Sequence, residues 1–187
     1  MFLNIFLLKS LLIPCLISVQ ILNIFFLIFF ISYSNLYKIK LYSLFSSLFL
    51  FFLSGFLFLF YNKFFFDFQF CYYLNWFIFY NINISFGLDG FSIFFIILTT
   101  FLTPLCLLIS WNSIKISVKL FYILMLFLEF FLFIFFSSLD LFIFYIFFEI
   151  ILIPMFFIIG IWGSRDRKFM QFINFYYILY LVLFLCY

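Results

Sequence analysis

Two carboxylates stand where carboxylates are costly. Glu149 lies inside the apolar stretch "DLFIFYIFFEIILIPMFFIIGIWGSRDRK", and Glu129 lies inside "FYILMLFLEFFLFIFF" just upstream. An ionised carboxylate in the centre of a bilayer costs at least ~2.5 kcal/mol, so such groups pair with a cation, hold a proton or line water. Burial favours the neutral acid and a nearby cation favours the carboxylate, which is the competition a proton-transfer site needs. The alternative is a neutral glutamic acid that hydrogen-bonds a neighbouring helix as structural glue.

The residues around Glu149 support a site. Tyr145 precedes it by one helical turn, on the same face, where a phenol can hydrogen-bond either protonation state. Pro154 has no N–H, so the carbonyl of Ile150 loses its helical partner beside the carboxylate. Pro104 does the same to the carbonyl of Thr100. Asp140 is nine positions before Glu149 and points to the opposite helix face. It sits at the expected helix start, where the reading as a cap at the membrane surface is favoured.

The surrounding elements follow from composition. The chain has 187 residues, 71% hydrophobic and 8% charged, against about 25% charged in a soluble domain. Runs of ~20 apolar residues are membrane-spanning helices. Six are expected, at 11–31, 41–61, 91–110, 120–136, 139–161 and 169–187. The fold class is therefore an all-α polytopic membrane protein, one transmembrane domain over 1–187. The runs do not alternate in polarity as barrel strands would. The connection at 62–89 is rich in Tyr and Trp and is expected at the membrane interface. Its partial alternation also suits a surface hairpin.

Lys38 and Lys40, Lys115 and Lys119, and Arg165, Arg167 and Lys168 fall between spans one and two, three and four, and five and six. These three basic loops share one side, and the positive-inside rule puts that side in the matrix or cytoplasm. Lys9, Lys63 and Asp67 fall opposite. A net charge of +3, scattered along the chain, argues against nucleic-acid binding. Cys15, Cys71, Cys106 and Cys186 are widely spaced and there is no His, so no metal or iron–sulfur site is expected in this chain. No secretory signal peptide is expected, since the first apolar run is too long. Phe contributes 42 residues and Ala none, a bias toward AT-rich codons that points to an organellar genome. The last span runs to Cys186–Tyr187 without a polar tail, as if the polypeptide were divided between helices.

Three stretches carry a resemblance to a known family. "FEIILIPMFFIIGIWG" resembles the fifth-helix signature of subunit 4 of mitochondrial NADH dehydrogenase, respiratory complex I. "LEFFLFIFFSSLDLFIFY" resembles its fourth and fifth helices, and "FGLDGFSIFFIILTTFLTPL" its third. The last element also has relatives in the sister antiporter-like subunits 2 and 5. The resemblance implies the first part of an antiporter-like fold of about fourteen helices, in a proton-translocating subunit without redox cofactors. The NADH, FMN, iron–sulfur clusters and ubiquinone belong to the complex as a whole. Glu149 would pair with a lysine on a later helix, and Glu129 would be a secondary ionisable site. With no such lysine here, the partner is expected on a separate chain carrying the C-terminal half, beside other membrane-arm subunits and lipid. The location implied is the mitochondrial inner membrane, with the basic loops in the matrix. A subunit of a sodium/proton antiporter, or sister subunit 2 or 5, is the alternative.

Overall fold

A computed structural model describes residues 2–31, 35–62, 67–77 and 82–163. The span expected at 169–187, and with it Lys63, Arg165, Arg167, Lys168 and Cys186, lies outside the described residues. The elements are α1 (Phe2–Phe29), α2 (Leu36–Phe60), β1 (Gln69–Phe77), β2 (Ile82–Leu88), α3 (Gly90–Ile109), α4 (Val118–Ser137) and α5 (Leu141–Trp162). Five helices among the described residues are long and apolar enough to cross a membrane. They match the first five expected spans to within a few residues, except that α1 begins well before Leu11.

Each helix buries one stripe. On α1 it is Ile13, Leu16, Gln20, Ile24 and Leu27, spaced by three and four as a helical face requires. On α4 it includes Tyr122, Leu126, Glu129, Phe133 and Ser137. The α2 stripe is half serine: Ser43, Ser46, Ser47 and Ser54 alternate with Ile39, Leu50 and Leu57. Small side chains let helices approach closely in lipid, where no hydrophobic force draws them together. Each serine hydroxyl is satisfied locally, as in Ser47 Oγ donating to the Leu44 carbonyl at 2.9 Å and Ser54 Oγ to the Phe51 carbonyl at 2.8 Å.

Helix α4 is the hub, packing against α1, α2, α3 and α5. Of its span 44% is buried, whereas α5, on the periphery, is 11% buried.

The 62–89 connection is a hairpin. Strands β1 and β2 pair antiparallel, with Tyr73 opposite Ser85 and Asn75 opposite Asn83. The register shifts between Gln69 and Tyr72, where Phe70 takes a left-handed φ of 59°. That bulge turns Phe70 inward. Phe70, Phe86 and Leu88 then join Ile13, Leu16, Leu57, Ile93 and Ile96 in one apolar cluster. The hairpin therefore closes one mouth of the helix bundle.

The opposite mouth carries the lysines. Lys40 donates to the carbonyl of Trp111 and lies 5.7 Å from the centre of its ring. Lys119 was expected in a loop. Instead it occupies the first turn of α4, is 4% exposed, and donates to the carbonyls of Ile28 at 2.8 Å and Ile31 at 2.7 Å. Those carbonyls end α1, where a helix has no backbone donors left and its dipole favours a cation. The ends of α1, α3 and α5 and the starts of α2 and α4 thus lie at one end of the bundle.

Replacing Lys119 with Met should strip two charge-assisted hydrogen bonds and leave both carbonyls without a partner. The expected loss is about 2–3 kcal/mol, read as a lower denaturant midpoint for the membrane-embedded chain. Lys119→Arg should rescue only in part, because a planar fork does not fit two carbonyls met by a point charge.

Candidate functional site

The turn Ser138–Asp140 joins α4 to α5 and sets the depth of both glutamates. Glu129 lies eight residues before the end of α4 at Ser137, and Glu149 eight residues after the start of α5 at Leu141. At 1.5 Å per residue each carboxylate is about 12 Å below the hairpin side. Ring contacts between Phe135 and Phe144, and between Phe131 and Phe147, hold the two helices in that register.

The two side chains share a depth but not an environment. The rings that join α4 to α5 lie roughly 120–160° around α4 from Glu129, so Glu129 points into the bundle. It is 1% exposed, and neither of its oxygens has a hydrogen-bond partner among the described residues. Glu149 is half-buried on α5, its Oε1 is enclosed, and that atom has no hydrogen-bond partner among the described residues either. No hydrogen bond joins the two carboxyls.

Polar groups of α2 and α3 also meet inside the bundle. The hydroxyls of Ser54 and Thr100 meet across α2 and α3 at 2.8 Å. The carbonyl of Thr100, which Pro104 deprives of its helical donor, is met at 3.4 Å by the hydroxyl of Thr103. Thr103 also lies beside Glu129. On α5, Pro154 is buried, and the helix continues through it to Trp162. Tyr145 is half-buried one turn before Glu149, with its hydroxyl oxygen enclosed.

The end of the fifth-helix signature has a packing role. The indole of Trp162 donates to the carbonyl of Ile116 at 3.0 Å and stands edge-on to Phe121 at 5.1 Å. Gly163 follows with its N–H on the Ile159 carbonyl at 2.8 Å, and a Cβ there would fall 2.3 Å from that oxygen. The Trp-Gly pair ties the far end of the glutamate helix to the α3–α4 loop.

Asp140 has a role other than the expected cap. It occupies the N-cap position of α5 but makes no side-chain cap bond. Its Oδ2 instead accepts from the backbone N–H of Ser85 at 2.7 Å, while the Leu139 N–H donates to the Ser85 carbonyl at 3.0 Å. The hairpin is thereby fastened to the turn that sets the carboxylate depths. A side chain at Gly87 would collide with Leu139, its Cβ 2.8 Å from Cδ1.

Sequence reasoning passed over Gln20, Asn23 and Tyr42. Gln20 is 3% exposed, and Tyr42 donates to the Asn23 Oδ1 at 3.1 Å. The available signal was a lone polar residue within each apolar helical stripe.

No protein-family profile matches the chain. It is similar to proteins named NADH-ubiquinone oxidoreductase chain 4 from several organisms. The relative from Triticum aestivum is 50% identical over 101 residues, covering 54% of this chain and 20% of the relative. That from Acanthamoeba castellanii is 43% identical over 100 residues, and that from Arabidopsis thaliana 42% over 101, with the same two coverages. The matched stretch is thus about half of this chain and a fifth of each relative.

Asp140→Ala removes an acceptor that is a charged group, a loss of about 1.5–3 kcal/mol. The Ser85 amide should then exchange with deuterium roughly ten- to hundredfold faster, and exchange in the middle of α4 should be unchanged.

Proposed function

We propose that this chain is the N-terminal part of the chain 4 subunit of respiratory NADH:ubiquinone oxidoreductase, and that it works in proton translocation across the mitochondrial inner membrane. The observation that carries the reading is the coincidence of two things: similarity at 40–50% identity to proteins named chain 4, and two intramembrane carboxyls held at one depth on adjacent helices.

In this reading Glu149 is the switching carboxylate. It stands on the least buried of the five membrane-spanning-length helices among the described residues. A cation from the C-terminal half of the subunit approaches that flank. A charge pair at 4 Å is worth about 4 kcal/mol at an effective dielectric of about 20. That is enough to hold both groups ionised in the membrane, and separating the pair releases a proton. Glu129, enclosed in the bundle, is the secondary site, and Tyr145 and the opened carbonyl of Ile150 orient the Glu149 carboxylate. The chain holds no redox cofactor; NADH, FMN, the iron–sulfur clusters and ubiquinone are bound by other subunits. Its basic side faces the matrix.

Glu149→Gln keeps the shape and removes the charge. In the assembled complex it should leave subunit composition intact on native gels and lower the number of protons moved per NADH oxidised. An unchanged proton-to-electron ratio in a fully assembled variant would overturn the proposal.

A further inference from the structure

The enclosed glutamate has a counterpart on α1. Helices α1 and α4 run antiparallel, pinned at one end by Lys119 on the Ile28 and Ile31 carbonyls. Further along, Ile24 and Leu27 pack with Leu126. Toward the hairpin, Ile13 and Leu16 share a cluster with Phe133 and Ile134. Between those two apolar layers each stripe has a single residue: Gln20 between Leu16 and Ile24, and Glu129 between Leu126 and Phe133. The packing therefore brings Gln20 and Glu129 to the same level of the α1–α4 seam.

Their unmet atoms are complementary to one kind of molecule. Gln20 Oε1, Glu129 Oε1 and Glu129 Oε2 are all buried without a hydrogen-bond partner among the described residues. An amide oxygen is an acceptor only, and so is a carboxylate. With Glu129 ionised, its carboxylate and the Gln20 amide oxygen cannot satisfy each other, and leaving each unmet costs about 1–3 kcal/mol. A buried water typically makes about three hydrogen bonds to such groups. One water meets both protonation states here. With Glu129 ionised, it donates one O–H to Gln20 and one to the carboxylate. With Glu129 protonated, it accepts the acid O–H and still donates to Gln20.

We infer that Gln20 and Glu129 bind one internal water between α1 and α4, with Gln20 as the residue that positions it. Its use in proton transfer rests on the function proposed above, whereas the hydration site stands on packing alone. Gln20 is then the residue through which α1, which holds neither carboxyl, reaches the proton chemistry. Two neighbours compete for the role. Asn23 Nδ2 is a buried donor without a hydrogen-bond partner among the described residues, one turn away on α1, and Thr103 lies beside Glu129 on α3.

Infrared difference spectroscopy on the assembled complex, without NADH, tests this apart from pumping. Exchange into H2-18O should shift one O–H band of a bound water, and that band should vanish in Gln20→Met and in Glu129→Leu. The Glu129 carboxyl band, assigned by its loss in Glu129→Gln, should move in Gln20→Met and stay in place in Asn23→Leu and Thr103→Val. Gln20→Asn, the milder change, should weaken the water band and so covers the case in which the Met variant does not assemble. Failure to find an isotope-sensitive band, its survival in an assembled Gln20→Met complex, or a carboxyl band that answers to Asn23 or Thr103 instead would overturn the inference. Because no turnover is measured, these results stand whether or not Glu149→Gln impairs pumping.

Discussion

Hydrocarbon offers no hydrogen bonds, so every polar group carried into the bundle must find its partner within the protein. The rest of the structure is arranged around that constraint. Serines on α2 turn back to carbonyls of their own helix. Lys119 meets the carbonyls that end α1, and Asp140 takes a backbone N–H of the hairpin. Pro104 opens a carbonyl, and the hydroxyl of Thr103 approaches it. Against this background of local satisfaction, the oxygens of Gln20, Glu129 and Glu149 that lack a hydrogen-bond partner among the described residues are informative, since they sit at intramembrane depth.

Turn length does much of the positioning. A connection of three residues between α4 and α5 places Glu129 and Glu149 symmetrically about it. One more residue in either helix before the turn would move a carboxylate by about 1.5 Å in depth and 100° around its axis. The hairpin protects that spacing, since β2 pairs with the turn through Ser85 and the Phe86–Ser138 bridge. At the other end the Trp162 indole holds α5 against the α3–α4 loop. A helix with little burial of its own is thereby fixed at both ends.

How much of this was legible in the sequence depended on the range of the interaction. The spans were legible because lipid imposes a length and a composition on each segment alone. Their common basic side was legible because charge near a span is also local. The hairpin was half legible: β2 has buried Ser85, Phe86, Gly87 and Leu88 in succession, so the alternation of a half-exposed strand is lost where it plugs the bundle. Lys119 was misplaced because its partners are some 90 positions away on α1. Asp140 was read from helix-end propensity, and the hairpin amide won because a short charge-assisted bond outweighs the helix dipole. Nothing local separates Glu129 from Glu149; only the assembled bundle puts one inside and the other on its flank.

That separation bears on how a single fold could hold two carboxyls with different duties. Glu129 is enclosed in the bundle, on the helix that packs against α1, α2, α3 and α5. Its surroundings are built by this chain and do not wait for another. Glu149 stands on a helix whose sides are largely uncovered by the described residues. A carboxylate of the first kind suits storage, because its proton affinity is set by fixed neighbours. One of the second kind suits switching, because a neighbour that arrives or leaves changes its energy by several kcal/mol. The two carboxyls stand at one depth on adjacent helices, one enclosed by this bundle and one on its flank.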